Sequence, residues 1–210
     1  GSGLSFEAGS QQGVLRTVPG PLDGPSAARL FHGVLSGDPV HIPDTGLTVS
    51  FWFRYHDLER VDREGYKRSN GGVMAVGSGW WDGWRIVCSP DSGGVSFGMG
   101  RPKIGGTTIS AHGLLADGKW HHVSFTWDGS LARARIDGVV QSEGSLDTEY
   151  TAPTKTPTLR FGECSYGVGV MDYDIASVGI FGEVLPDDLL VDLGNPRRIL
   201  EASLARRLGR

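Results

Sequence analysis

Apolar and polar residues alternate along several short segments of the chain, most clearly over residues 47–55. Alternation with a period of two, built from β-branched and aromatic residues, is typical of a β-strand with one buried face. The pattern therefore predicts a strand here. Its core face would carry Leu47, Val49, Phe51, Phe53 and Tyr55. Its other face would carry Thr48, Ser50, Trp52 and Arg54.

A second alternating segment, residues 119–138, contains Asp128-Gly129 near its middle. Asp-Gly between two such runs predicts a hairpin with a two-residue type I′ loop. This register pairs Trp127 with Ser130, Phe125 with Ala132, Val123 with Ala134 and His121 with Ile136 on the core face. The opposite face pairs Thr126 with Leu131, Ser124 with Arg133 and His122 with Arg135. A polar face on an antiparallel hairpin indicates solvent or a ligand groove.

Further short strands are predicted at regular spacing, and two segments depart from the strand pattern. Residues 57–70 are rich in both acids and bases and indicate a charged loop. Residues 186–193 predict a short helix with Asp187 and Asp188 in its first turn, and residues 199–208 predict a second helix. The weaker strands are predicted at residues 4–7, 28–34, 40–42, 72–76, 84–89, 94–99, 107–110, 158–161 and 173–181.

Composition favours an all-β fold. The 210 residues include 33 Gly, and interior glycines destabilise helices by about 1 kcal/mol each relative to Ala. Many short strands joined by tight turns predict one antiparallel β-sandwich over residues 4–193. Residues 1–3 (Gly-Ser-Gly) are typical of a tag remnant, and residues 194–210 form a basic tail or helix.

The charge distribution limits the classes of partner. Residues 197–210 hold five Arg and one Glu, so the other residues carry 15 bases and 23 acids, a formal charge of −8. This balance argues against nucleic-acid binding. No apolar run reaches the ~20 residues of a membrane span, so no membrane insertion is expected. Cys88 and Cys164 lack zinc-type spacing, and pairing across two strands and two free thiols both stay open.

Several segments, taken in order, resemble the laminin-G-like and concanavalin-A-like jelly rolls. The resemblance implies two curved antiparallel sheets, and it is far more specific for fold than for function. Many such domains hold calcium where the first and last strands meet. The matching acids here are Glu7 and Asp174, with Asp172 as a third. The alternative is that they are ordinary polar strand residues. The segments are Phe31-His-Gly-Val34, Pro39-Val-His-Ile42, residues 47–54, Asp117-Gly-Lys-Trp-His-His-Val-Ser-Phe-Thr-Trp-Asp-Gly129, Arg135-Ile-Asp-Gly138 and Tyr173-Asp-Ile-Ala-Ser-Val-Gly-Ile-Phe181.

Catalytic motifs are incomplete. Laminarinase-type glucanases of the resembled fold carry E-x-D-x-x-E on one strand, whereas Asp172-Tyr-Asp-Ile-Ala-Ser177 has acids only at the first two places. A glucanase of that type is therefore not expected. A polysaccharide lyase needs a Tyr or His base beside a cation. His122, Arg133, Arg135 and Arg54 can be arranged in that way, although Tyr55 falls on the core side. A lyase for acidic glycans therefore stays as an alternative.

Two groups of residues suit sugar binding, which combines stacking on aromatic rings with hydrogen bonds from planar polar groups. The first is Trp80, Trp81 and Asp82 on a glycine-rich turn, where the alternative is a cap over the end of the sandwich. Trp84 opens a strand and is predicted to lie in the core. The second group lies on the polar sheet face, where the alternative is a solvated surface: Trp52, Arg54, His122, Arg133 and Arg135.

We therefore predict non-catalytic binding of a glycan or polysaccharide by a lectin-like module. The module would belong to a larger secreted or cell-surface protein, with other domains of that protein as further partners. Trp80 or Trp81 would stack on a sugar while arginines hold acidic groups. A protein-interaction domain of a viral or surface assembly is the third alternative, and an exposed apolar patch would favour it.

Overall fold

The computed structural model describes residues 5–8, 14–21, 27–31, 33–39, 46–57, 71–77, 83–89, 93–100, 107–112, 115–146, 158–164, 167–168 and 172–195. These contain sixteen strands, one 3₁₀ turn at Leu115–Asp117 and one helix. In chain order they are β1 (Ser5–Ala8), β2 (Val14–Val18), β3 (Ala27–Phe31), β4 (Gly33–Pro39), β5 (Leu47–Asp57), β6 (Gly71–Val76), β7 (Trp84–Ser89), β8 (Gly94–Met99), β9 (Thr107–Ala111), β10 (His121–Trp127), β11 (Leu131–Ile136), β12 (Val139–Ser145), β13 (Thr158–Phe161), β14 (Glu163–Cys164), β15 (Gly167–Val168), β16 (Asp172–Phe181) and α1 (Asp187–Leu193).

The strands form two seven-stranded sheets and one small ribbon. Sheet 1 has the order β1-β4-β13-β6-β7-β8-β9, and sheet 2 has the order β12-β11-β10-β5-β16-β3-β2. Strands β14 and β15 pair with each other. All strand pairs described are antiparallel. The predicted all-β sandwich is therefore confirmed.

The core lies between the sheets and is rich in aromatic rings. Phe97 of sheet 1 stacks on Phe125 of sheet 2, with centroids 5.4 Å apart and planes 21° apart. Tyr173 of sheet 2 donates its hydroxyl hydrogen to the Val73 carbonyl of sheet 1 at 2.8 Å. Burial of the Tyr173 ring raises the pKa of its hydroxyl. Trp84 is fully buried, as the sequence predicts.

The β10–β11 hairpin has the predicted faces but a different register. Trp127 pairs with Ala132, Phe125 with Ala134 and Val123 with Ile136, two residues away from the prediction. The Asp128 carboxylate accepts the backbone N–H groups of Ser130 and Leu131, and Asp128 N–H donates to Leu131 O at 3.1 Å. These bonds make Gly129 and Ser130 the loop. A shift of two leaves every side chain on its expected face.

The two-residue loop with type I′ character is the next one along the chain. Asp137 and Gly138, with φ of 52° and 79°, join β11 to β12 between the paired residues Ile136 and Val139. Positive φ at both central residues defines this loop.

The remaining predictions are partly confirmed. Helix α1 lies within the predicted 186–193, with both acids in its first turn. Strands β2, β12, β14 and β15 were not predicted, and the predicted strand 28–34 falls on two strands, β3 and β4, of different sheets. Of the predicted loop 57–70, Asp57 is the last residue of β5. Residues 58–70, the predicted strand 40–42 and the predicted helix 199–208 lie outside the described residues. Cys88 is a free, buried thiol, and burial raises its pKa to about 12.

Candidate functional site

The outer face of sheet 2 carries a row of charged side chains beside a row of apolar ones. In the first row, Arg54 of β5 pairs with Asp174 of β16, which pairs with Arg29 of β3. In the second, Trp52 of β5 pairs with Ala176 of β16. Directly cross-strand residues project to the same face, so the strand register alone places these groups together.

The charged row is held by close ion pairs centred on two carboxylates. Arg54 donates from Nε to Asp174 Oδ2 at 2.8 Å and also from Nη2, and His56 Nε2 donates to the same oxygen at 2.8 Å. Arg29 donates to both oxygens of Asp172, at 2.9 and 2.5 Å. This bonding raises the pKa of Arg29. We call Arg29, Arg54, His56, Asp172 and Asp174 the arginine–aspartate cluster.

Within this cluster the central carboxylate is buried and the side chains around it are partly exposed. The side chain of Asp174 is fully buried, whereas those of Arg29, Arg54 and His56 are 37%, 27% and 24% exposed. Asp174 Oδ1 accepts no hydrogen bond within the described structure, and Arg29 Nε lies 4.0 Å from it. The cluster therefore presents cationic donors to solvent, backed by buried negative charge.

An aromatic platform adjoins the cluster. The Arg54 Cζ atom lies over the ring of Trp120, 4.8 Å from its centroid, which is a cation–π contact. Trp120, only partly buried, packs with Val18 against an apolar group of Ala27, Trp52 and Ala176. Trp52 itself is only 5% exposed. Trp120 is thus the indole of this platform that is open in part to solvent.

The other half of the same face is not the open groove that the sequence predicts. His122 and Arg135 are each 1% exposed. Arg135 Nη2 donates to Asp187 of α1 at 2.5 Å, and Thr48 Oγ1 donates to Glu183 O at 2.7 Å. A helix of seven residues after the last strand covers this polar half, which strand alternation alone does not reveal.

Beneath α1, the buried polar groups are only partly satisfied, since His122 Nδ1 and Ser124 Oγ have no hydrogen-bond partner among the described residues. His122 Nε2 and Ser50 Oγ are hydrogen-bonded at 2.8 Å, and burial lowers the pKa of His122 to about 4. His122, the base of the lyase alternative, is therefore inaccessible in this arrangement, and Tyr55 is buried as predicted. Arg133 lies outside the covered area and pairs with Glu143.

The next histidine has the opposite environment. His121 Nδ1 donates to Asp137 Oδ2 at 2.8 Å, and its Nε2 donates to Asp117 Oδ1 at 3.0 Å. The bond to Asp137, followed by that to Asp117, raises the pKa of His121. Its side chain is 10% exposed. The sequence placed His121 on the core face of its strand, whereas in the structure its ring forms ion pairs with Asp137 and Asp117, which lie in two different turns.

The acids predicted for calcium are only partly within the described structure, and two of them lie beside arginines. Calcium takes six to eight oxygens, whereas Asp172 and Asp174 face the guanidinium groups of Arg29 and Arg54. Among the described residues no group of three or more His, Cys, Asp or Glu side chains is arranged to hold a metal. Glu7 lies on β1 of sheet 1, not beside β16, and its side chain is outside the description.

Part of the predicted site is untested, and part of the observed cluster was not predicted. Trp80, Trp81 and Asp82 lie outside the described residues, so their orientation stays a prediction. Arg29 and His56 were missed, and Trp120 was assigned from the sequence to a structural role. The signal for Arg29 was available, since alternation along β3 puts it opposite the buried Leu30. His56 follows directly on the predicted strand 47–55, which continues to Asp57.

Comparison with known families and structures identifies the fold. A family model described as "Concanavalin A-like lectin/glucanases superfamily" matches residues 31–188. The chain therefore belongs to this superfamily. No curated protein matches its sequence. No helix in the described part of the chain is long and apolar enough to cross a membrane.

Similar solved structures are binding domains of larger proteins. Domain 4 of AbnA, a GH43 extracellular arabinanase from Geobacillus stearothermophilus, solved with arabinotriose, has a TM-score of 0.66 at 14% identity, covering 92% of this chain and 88% of that one. The binding domain of botulinum neurotoxin DC appears with rat synaptotagmin II (TM-score 0.69, 15% identity, covering 92% and 46%) and with SialylT (0.66, 16%, covering 97% and 47%). This chain spans about half the length of the toxin domains.

Proposed function

We propose that the protein binds glycans without catalysis, and that the arginine–aspartate cluster with Trp120 is its binding site. The observation that carries this proposal is the double contact of Arg54. Its guanidinium lies on Trp120 and is bonded to Asp174 at the same time. A flat aromatic surface and oriented hydrogen-bonding groups therefore stand side by side on one sheet face.

The chemistry of sugars explains why this combination is suitable. A sugar ring presents C–H groups that pack on an aromatic surface, and hydroxyls that exchange hydrogen bonds with planar polar groups. Arg54 and Arg29 are fixed by their carboxylates, so little side-chain freedom is lost when a ligand binds. The side chains of Arg29 and Arg54 remain 37% and 27% exposed, so both can be reached from solvent.

The structural relatives support a binding role. The arabinanase domain was solved with arabinotriose, and the toxin domains are described as binding domains. These likenesses establish the fold, and their ligands guide the choice of probes. A secreted or cell-surface location, a larger parent protein and a structural calcium ion also belong to this proposal and stay predictions.

A glycan array with three proteins tests the proposal. Wild type is compared with Trp120→Ala and with Phe181→Ala, which removes a partly exposed ring at the end of β16. We expect wild type and Phe181→Ala to bind equally well and Trp120→Ala to lose affinity by about tenfold or more. A tenfold loss corresponds to ~1.4 kcal/mol of binding free energy from the Trp120 ring. Equal binding by all three proteins would remove the cluster from the site, and Trp81→Ala then tests the binding residues predicted from the sequence at Trp80, Trp81 and Asp82.

A second candidate function is docking of a protein, supported by an exposed apolar patch. Among the described residues, large apolar side chains with at least 37% exposure occur only within 139–140 and 181–191: Val139, Val140, Phe181, Val184, Leu189 and Val191. The two segments adjoin, because a Cβ on Gly138 would lie 3.1 Å from Val191 Cα.

Self-association is the first test of that patch, with a second copy of the chain as the partner. Sedimentation velocity over a range of concentrations compares wild type with Val139→Ser/Leu189→Ser. Dimerisation that the double variant abolishes supports this function. A monomer at every concentration contradicts self-docking.

A further inference from the structure

We propose that the arginine–aspartate cluster selects uncharged sugar units through their hydroxyl groups, and disfavours uronate and sulfate groups. This inference rests on the proposed glycan-binding function and specifies its ligand class. It reverses the expectation that arginines on this face would hold acidic glycans.

The first argument is charge balance within the cluster. Two guanidinium groups stand against two carboxylates, and each guanidinium is committed to one of them, Arg29 to Asp172 and Arg54 to Asp174. The remaining titratable side chain of the cluster, His56, also bonds to Asp174. The charges of the two guanidinium groups and the two carboxylates cancel, so the arginines supply no excess positive charge to attract an anion.

The same pairing extends over the whole described face. Arg133 pairs with Glu143, and Arg135 pairs with Asp187. Together with Arg29 and Arg54, all four arginines whose side chains are described on this face have a carboxylate partner. The arginine count of the sequence suggested a cationic groove, but the structure balances each of these charges locally.

The second argument is the hydrogen-bonding character of the two ligand classes. A hydroxyl both donates and accepts, whereas a carboxylate or sulfate only accepts. The cluster offers donors on Arg29 and Arg54 next to acceptor oxygens on Asp172, whose side chain is 14% exposed. A hydroxyl can bond to both kinds of group, whereas an anionic oxygen placed there would face Asp172 and the buried Asp174.

The third argument is the long-range field. The whole chain carries a formal net charge of −4. Repulsion of a polyanion by this charge would be strongest at low ionic strength, where the screening length is long. Local and global electrostatics therefore both favour an uncharged ligand.

Matched polymer pairs test this inference directly. The probes are polygalacturonate, hyaluronan and alginate, each with its carboxyl-reduced form, alongside arabinan as a neutral polymer. Affinity is measured at about 0.02 M and about 0.5 M salt, which spans long and short screening lengths. We expect neutral members to bind at least about tenfold more tightly, with little dependence on salt.

The other outcomes separate the two proposals. Tighter, salt-sensitive binding of the charged members would overturn the neutral-ligand inference and leave glycan binding intact. Absence of binding to every polymer and to the array would overturn the glycan function itself, and the ligand class with it.

A charge-changing variant gives a second readout. Asp172→Asn keeps the shape of the side chain but leaves the cluster with one uncompensated guanidinium. Its affinity for uronate polymers should rise relative to that for their reduced forms. Asp188→Asn, at an exposed acid of α1, is the matched control and should leave the preference unchanged. The inference fails if the two variants behave alike.

Discussion

Arg54 lies over Trp120, with Cζ 4.8 Å from the ring centroid, while its Nε donates to Asp174 at 2.8 Å. The position of this guanidinium is therefore set by two partners, Trp120 just before β10 and Asp174 on β16. Asp174 depends on it in turn, because its carboxylate is fully buried.

Removal of Arg54 should consequently reduce stability. Arg54→Ala leaves a buried carboxylate with less compensation, and we expect the free energy of unfolding to fall by about 2–3 kcal/mol. Arg133→Ala, which breaks the exposed pair with Glu143, should cost less than ~1 kcal/mol. Urea unfolding measures both.

The double variant Arg54→Ala/Asp174→Ala completes a thermodynamic cycle. Removing both charges should destabilise the protein by less than the sum of the single changes, since no unpaired charge remains. Additive effects would mean that the Arg54–Asp174 contact contributes little.

The adjacent histidines predict opposite pH dependences. Burial lowers the pKa of His122 to about 4, below the ordinary 6.5, so its contribution is intact above pH 6.5 and is lost as pH falls to about 4. The full effect is about 3 kcal/mol. His121 behaves in the opposite way, because its hydrogen bonds to Asp137 and Asp117 raise its pKa. The stability that His121 contributes is therefore intact below pH 6.5 and is lost as pH rises through its folded-state pKa.

These two residues alone therefore give a stability maximum near pH 6.5. His121→Gln should flatten the alkaline side of the profile, and His122→Gln should flatten the acid side. Thermal unfolding between pH 4 and pH 9 measures the profiles. Two variants with identical profiles would contradict the assignment.

Two glycines with the same backbone conformation predict different costs of substitution. Gly83 and Gly118 have φ of 73° and 72°. A Cβ on Gly83 would lie 2.0 Å from Val76 O, whereas one on Gly118 meets nothing within 4 Å. Gly118→Ala should lower the free energy of unfolding by about 1–2 kcal/mol, the penalty of a positive φ. Gly83→Ala should lower it clearly more, because the new Cβ would also collide with Val76 O. Equal losses in chemical denaturation would contradict this account.

The Arg135–Asp187 ion pair should help to hold helix α1 on sheet 2, beside the buried side chain of Leu190. Arg135 is 1% exposed, and its partner Asp187 is largely exposed. Asp187→Ala removes the carboxylate from a buried guanidinium. Amide hydrogen exchange of residues 187–193 should become faster, because the free energy needed to open the helix should fall by about 1–2 kcal/mol. Asp188→Ala is the control, and unchanged exchange in Asp187→Ala would show that the pair does not hold the helix.

Alternation in the sequence was sufficient to predict the sheet faces, but not what covers them. Leu47, Phe51 and Phe53 are buried as their period-two spacing indicates. The burial of His122 and Arg135 escaped prediction, because it depends on a short helix returning over the sheet. The alternation also could not predict the register of the β10–β11 hairpin. The Asp128 carboxylate accepts the backbone N–H groups of Ser130 and Leu131, so the loop lies one residue further along the chain than predicted.

The site was partly predictable for the same physical reason. Arg54, Asp172 and Asp174 were named from sequence, but as separate ligand and metal groups. Their mutual pairing depends on which strands are neighbours. Only the β5–β16–β3 order brings Arg54, Asp174 and Arg29 into one row.

Mapping of a bound oligosaccharide by NMR tests the central claim most directly. The protein is labelled with ¹⁵N and titrated with the best ligand from the array, while the indole Nε1–H of each tryptophan and the Nε–H of each arginine are followed. We predict that the largest shifts occur at Trp120, Arg54 and Arg29. Shifts confined to Trp80 and Trp81, or to the outer face of sheet 1, would contradict the placement of the glycan site on the arginine–aspartate cluster.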